Sequence, residues 1–389
     1  MGPAPIEQAS DAVEGRTPEA WDLLEELVNI DSGSGDIEGL TEVIGLMRLR
    51  WADLGFVARV ETTASGFPVL HAQRGADPTL PTIALIGHLD TVFPPGTTTN
   101  WPFARHGDRA SGPGVADAKG GAVVGWLAVA AALEATGGLP HLNIRVLLNT
   151  DEETGSVESR DFVERLASQV DLALVYEPGR PDGSIVRERR GAHRYRIRVI
   201  GKAAHSGVDP WAGVNALEAA AHKILALQAL NDRERLVSVT VAVAQGGSRL
   251  NVVPAEAVLD VDTRLPDSIA AEATHAAVAR IVARNEVPGS SATYETLSER
   301  PPMTPHADLA ELLELLRDAA QRIGLVLTDA TTGGGSDGCF TGAKGVPTID
   351  GLGPVGGGYH TRDEFIEAST LAKRATLSAA ILATLNVRP

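Results

Sequence analysis

Thr82-Ile-Ala-Leu-Ile-Gly-His-Leu-Asp-Thr91 decides the fold of this chain. Residues 83–87 are almost continuously apolar, as a strand covered on both faces is, and the run ends on His88 and Asp90. Leu142-Asn-Ile-Arg-Val-Leu-Leu-Asn-Thr-Asp151 repeats the pattern and leads into Glu152 and Glu153. Val170-Asp-Leu-Ala-Leu-Val-Tyr176 repeats it again and delivers Glu177. Between the first two, residues 120–135 read as an Ala-rich buried helix. Strands alternating with helices imply an α/β fold, a mainly parallel sheet flanked by helices. In such sheets, sites form beyond the carboxyl ends of the strands, where residues distant in sequence meet.

Charge sharpens that reading. Asp90, Asp117, Glu152, Glu153 and Glu177 in one cleft carry a formal charge of −5. Like charges that close force several carboxyls to protonate. Divalent metal ions relieve the repulsion, so a metal site is the economical interpretation.

Elsewhere the chain is organised by period and punctuation. Thr17-Pro18 predicts a helix start, with Trp21, Leu24, Leu27 and Val28 repeating at helical spacing. A second helix is expected over 41–54, stopped by Gly55. At about residue 187 the pattern changes. Tyr195, Ile197 and Val199 alternate with Arg194, Arg196 and Arg198, and Val237, Val239, Val241 and Val243 alternate with small or polar residues. Leu259 and Val261 alternate with Asp260 and Asp262, and helical stretches fall at 215–230 and 268–285. Strand, helix, strand, strand, helix, strand is a ferredoxin-like order. It predicts an inserted α+β domain over 187–300 within a domain made of 1–186 and 301–389. The first pattern resumes with a helix over 307–323 and a strand over 346–349.

Composition bounds the function. A chain of 389 residues, 43% of them hydrophobic, can bury the cores of two globular domains. No run approaches the roughly 18 apolar residues of a membrane helix. No basic start followed by an apolar stretch marks a secretory signal, and one cysteine, Cys339, gives no intrachain disulfide framework. A cytoplasmic protein is expected. A net charge of −16 argues against nucleic acid as a partner. Arg187-Glu-Arg-Arg190 is read as a solvated hinge, and Ser32-Gly-Ser-Gly35, lacking a P-loop lysine, as a plain loop.

Seven blocks then occur in order. They are residues 87–94 (GHLDTVFP), 112–121 (GPGVADAKGG), 149–156 (NTDEETGS), 201–207 (GKAAHSG), 251–254 (NVVP), 333–337 (GGGSD) and 358–360 (GYH). Together they closely resemble the dizinc metallopeptidases that include bacterial glutamate carboxypeptidase, aminoacylase, acetylornithine deacetylase and succinyl-diaminopimelate desuccinylase. The resemblance implies two Zn2+ per subunit, with Co2+ or Mn2+ as substitutes. His88 and Glu177 would hold one ion, Glu153 and His360 the other, and Asp117 would bridge them. It also implies Glu152 as general base and Asp90 as the carboxylate orienting His88. Ala118 departs from the aspartate or methionine of many relatives.

From the inserted domain, read through the same resemblance as a lid and dimerisation domain, three residues carry over. His205 would reach a neighbouring subunit's site and stabilise the oxyanion, and Asn251 and Arg264 would hold the substrate's terminal carboxylate. Arg300 stands where glutamate carboxypeptidases keep an arginine for the acidic side chain. The implied activity is cleavage of the amide bond before a free C-terminal amino acid, with N-acyl or peptidyl glutamate favoured, in a homodimer. An aminoacylase, deacetylase or dipeptidase taking neutral residues is the alternative. Two others are weighed. Gly334-Gly-Ser-Asp-Gly338, with Asp350 and His360 downstream, fits a serine hydrolase built on Ser336, but leaves the acidic cluster unexplained. A non-catalytic zinc scaffold fits poorly, because no ligand nor Glu152 is missing.

Overall fold

The computed structural model describes residues 5–385. They form two compact units. One runs to Glu188 and resumes over Pro305–Thr331 and from Ser336 onward; the other is Arg189–Thr304 with Thr332–Gly335. The short 332–335 return lies outside the 187–300 range that the sequence suggested.

The first unit is built on a six-stranded sheet in the order Val57–Thr62, Pro68–Arg74, Asn143–Asn149, Thr82–His88, Leu172–Val175, Thr348–Ile349. The first two junctions are antiparallel and the remaining three parallel, so the sheet is mixed. The continuous apolarity of residues 83–86 has a direct cause. Ile83 and Leu85 face a core made with helices Pro5–Val28, Lys119–Thr136 and Ala368–Thr384, whereas Ala84 and Ile86 face a second core with Val163, Leu166 and Phe340. Successive side chains point to opposite faces, and here both faces are dry. Each fully buried leucine of that packing, such as Leu23 or Leu127, contributes about 2 kcal/mol.

Thr17-Pro18 does not start a helix. Pro18 lies inside the helix Pro5–Val28, and the Thr17 hydroxyl donates to the Val13 carbonyl at 2.8 Å. The apolar stripe that continues upstream through Ile6, Ala9 and Val13 gains more by packing than the proline loses, which is how tertiary contacts override propensity. The second helix begins earlier than expected, at Ile37, because the Asp36 carboxylate caps the Gly39 amide. Nor is Arg187-Glu-Arg-Arg190 a solvated segment. Arg187 pairs with Asp329, and Arg189 is buried, its guanidinium donating to the Gly334 carbonyl at 3.2 Å.

The second unit is an antiparallel sheet in the order Ser238–Gly246, Glu256–Arg264, Ala192–Ile200, Ser291–Arg300, with helices Ala216–Gln228 and Ser268–Ala283. That is the ferredoxin-like arrangement. Asn215 and Asp267 cap the two helices through their side chains. Tyr195, Ile197, Val199, Leu259 and Val261 form its core, while Arg196 and Asp260, opposite each other on the other face, pair through two bonds of 2.8 Å. The valine alternation breaks at the edge strand, where a register shift between Val241 and Val243 leaves Val243 exposed. No helix among the described residues is long and apolar enough to cross a membrane.

Candidate metal centre

The parallel pairing sets Ile86 beside Val175 and His88 beside Asn149. His88, the loop after Asn149, and Glu177 therefore emerge at one end of the sheet. Asp117 reaches the same place from the loop before the helix Lys119–Thr136. Gly121 lets that helix approach, since a Cβ there would fall 1.8 Å from the Tyr176 carbonyl oxygen.

Two clusters of donors result, His88 with Glu152 and Glu177, and Asp117 with Glu153 and His360, the ligand atoms of each lying within 4.8 Å of one another. Asp117 spans them. Its Oδ1 is 3.2 Å from His88 Nε2 and its Oδ2 is 3.3 Å from His360 Nε2. His88 Nε2 lies 3.8 Å from Glu177 Oε1, and His360 Nε2 lies 3.1 Å from Glu153 Oε2. Four ligands at zinc–nitrogen and zinc–oxygen distances of 2.0–2.1 Å stand about 3.3 Å apart in a tetrahedron. The separations of 3.1–3.8 Å lie near that spacing, and mixed imidazole and carboxylate donors suit zinc.

The electrostatics point the same way. Burial works against charge on Asp117, but its contacts with His360 and His88 outweigh it and hold the carboxyl below its usual range. Burial also opposes charge on His88, yet its bonds to Asp117 and Asp90 push the imidazole well up; bonds to Asp117 and Glu153 raise His360 to about 10. Burial drives Glu177 and Glu153 upward. Imidazolium charge stands where the carboxylates call for cations, the demand a metal would meet. His360 also holds φ of 62°, a left-handed backbone uncommon outside glycine, and such conformations gather at functional sites.

The supporting contacts are specific. Asp90 is fully buried and within 3.2 Å of His88 Nδ1, leaving Nε2 to face the donors. Its oxygens also accept the Glu152 and Glu153 amides at 3.2 and 3.1 Å and the Ser34 hydroxyl at 2.8 Å. The loop around Ser34, read as plain, thus serves the site. Glu364 had no signal in the sequence. It accepts the amides of Gly114, Ala116 and Asp117 at 3.3, 2.8 and 3.1 Å and so shapes the Asp117 loop; burial lifts it to about 7. Lys119 is buried, donates to the Ile30 carbonyl at 2.8 Å, and is pushed down by burial to about 7.

The residues expected to meet substrate lie in the second unit. His205 and Asn251 are exposed on adjoining segments, where the Ser206 amide donates to the Asn251 carbonyl at 3.1 Å. Arg264 closes the strand that starts at Glu256, so it stands at the other end from Asn251. The eight steps of that strand alone span about 26 Å at 3.3 Å each. Within one protomer, Asn251 and Arg264 do not meet on one carboxylate. The guanidinium of Arg264 instead bonds both oxygens of Asp262, at 2.9 and 3.3 Å, and the Gly333 carbonyl at 3.1 Å. Arg300 is buried, and the chain at Gly335 packs against its side chain.

Ser336 is fully buried and donates its hydroxyl to Asp350, while His360 is engaged with Asp117 and Glu153. The strand Asp329–Thr332 does not run into this serine, since Gly333, Gly334 and Gly335 intervene, and the short helix Gly338–Ala343 follows it. Burial and the Asp350 bond set the serine-hydrolase reading aside.

The chain is 29% identical over 374 residues to carboxypeptidase G2 of Pseudomonas sp. (strain RS-16), covering 94% of this chain and 89% of the relative. It is 29% identical over 375 residues to succinyl-diaminopimelate desuccinylase of Verminephrobacter eiseniae, covering 88% and 91%. Aminopeptidase PepT from Bacillus cereus superposes with a TM-score of 0.78 at 23% identity, over 94% of this chain and 98% of that one. Residues 84–384 match peptidase family M20/M25/M40. The chain belongs to that family and is a metallopeptidase or amidohydrolase of it.

Proposed function

We propose that this protein is a dizinc hydrolase that cleaves the amide bond before a free C-terminal amino acid. The pair of donor clusters joined through the two oxygens of Asp117 carries the reading. His88, Asp117 and Glu177 would hold one zinc, and Glu153, His360 and Asp117 the other, with Co2+ or Mn2+ able to replace them. Bound there, the ions would lower the pKa of a shared water and polarise the scissile carbonyl. Glu152, beside His88 and Glu177, would take the water's proton on its carboxylate and return it to the leaving nitrogen. Asp90 holds the His88 ring for this work through Nδ1.

His205 would stabilise the oxyanion from a neighbouring subunit, and Asn251 and Arg264 would grip the α-carboxylate. Their separation along the strand Glu256–Arg264 supports contributions from two subunits to each substrate. The inserted unit would then be the lid and dimerisation domain. Its edge strand Ser238–Gly246 is largely exposed, and Leu217, Leu225 and Val243 are exposed apolar residues of that unit.

N-acyl or peptidyl glutamate is the favoured substrate, on the strength of Arg300 and of the likeness to carboxypeptidase G2. Burial of Arg300 favours a second reading, in which neutral residues are released. The test is amino-acid release from N-acyl amino acids and dipeptides that vary only in the C-terminal residue, with and without a zinc chelator. Chelator-sensitive release confined to glutamate or aspartate supports the first reading. Chelator-sensitive release of neutral residues supports the second, and chelator-insensitive release refutes the zinc mechanism.

A further inference from the structure

Glu152 and Glu153 sit in a loop, and a catalytic group borne by a loop needs restraint from outside it. One restraint is Asp90, which accepts both of their amides. A second comes from Asp337, distant in sequence and almost fully buried. One of its oxygens accepts the Asn149 side-chain amide at 2.6 Å, where the strand Asn143–Asn149 ends and the loop begins. The other accepts the hydroxyl of Ser156, where the loop turns back and the Ser156 amide donates to the Asp151 carbonyl at 2.8 Å. Asn149 also donates to the Ser159 hydroxyl at 2.8 Å, and Asp151 accepts the Glu158 and Ser159 amides at 2.9 and 3.1 Å. Asp337 therefore holds the two ends of the segment that carries Glu152 and Glu153.

Ser156 makes the restraint necessary. Its φ is 53°, a left-handed conformation in a residue that is not glycine, and it is fully buried. Such a conformation persists only where its surroundings over-determine it. The hydroxyl bond to Asp337 is one such determinant.

We propose that Asp337 is a positioning residue, fixing the 150–156 turn so that Glu153 meets its metal and Glu152 faces the water. This rests on the proposed function, and the experiment separates the two. Asp337→Asn and Ser156→Ala are compared with wild type for zinc affinity, by competition with a chromophoric chelator, for kcat and KM, and for Tm. Kinetics are measured well below the Tm of each variant. Zinc binding and chelator-sensitive turnover by the wild type check the proposed function itself, and their absence overturns both ideas. Given an active wild type, the expected result is zinc affinity weakened about 10-fold or more. A fall in kcat should accompany it, with KM little changed. Variants that lose only Tm, with affinity and kcat intact, overturn the positioning role and leave the dizinc reading standing. Should Asp337→Asn fail to fold, Ser156→Ala carries the same test, because it removes one bond and keeps the buried carboxylate.

Discussion

Asp90 and Asp117 each use two carboxylate oxygens to join parts of the chain that are far apart in sequence. Asp117 faces an imidazole with each oxygen, and Asp90 ties His88 to the amides of Glu152 and Glu153. Glu152 is set apart from its neighbour Glu153, which is committed to His360. The division of labour proposed for these adjacent glutamates gives a direct expectation. Glu152→Ala should lower kcat by about 100-fold to 10,000-fold, the usual worth of a general base, with zinc content unchanged by atomic absorption. Turnover preserved in that variant would remove Glu152 from the mechanism.

Elements place these residues by packing closely. The helix Lys119–Thr136 follows Asp117 directly and is pinned at Gly121 against the Tyr176 carbonyl. Gly121→Ala would force a side chain to 1.8 Å from that oxygen. The helix or the strand end bearing Glu177 must then shift, at a cost of about 1–3 kcal/mol. Thermal unfolding should show the loss, and zinc affinity should fall with it. Pro18 offers the opposite case. It is exposed within the helix Pro5–Val28, so Pro18→Ala should stabilise by up to about 3 kcal/mol, less whatever chain entropy proline removes from the unfolded state. A lower Tm would show that the proline suits this helix better than its propensity implies.

At the scale of the whole molecule, the proposed metal binding and dimerisation would couple stability to catalysis. Zinc at a thousandfold excess over its Kd should stabilise the fold by about 4 kcal/mol per site. Chelation should therefore lower the unfolding midpoint in urea, and an unchanged midpoint would argue against resident ions. A site completed by His205 from a partner makes a sharper forecast. Equal amounts of His205→Ala and Glu152→Ala, each inactive alone, should recover about a quarter of wild-type activity once subunits exchange. Half the dimers would be mixed, each with one complete site, as a two-fold dimer requires. No recovery in a mixture shown to exchange would place His205 and Glu152 in the same subunit's site.

The sequence by itself determined the central strands near 83–87, 142–149 and 170–176, their burial on both faces and the acidic ends they carry, because apolar runs are local signals. The strands Val57–Thr62 and Pro68–Arg74 show no such run. The sequence also determined the ferredoxin-like order, for the same reason, and the seven blocks carried the resemblance to the family. It missed the helix upstream of Pro18, whose stability comes from packing, and the exposure of Val243, which follows from a bulge at a sheet edge. Only the tertiary structure decided that Asp117 faces both histidines, that Arg264 turns to Asp262, and that Glu364 and Asp337 brace the site loops. Those contacts join residues up to about 250 positions apart. No period or motif spacing encodes them, since they are set by which strand ends and loops the packed cores bring together.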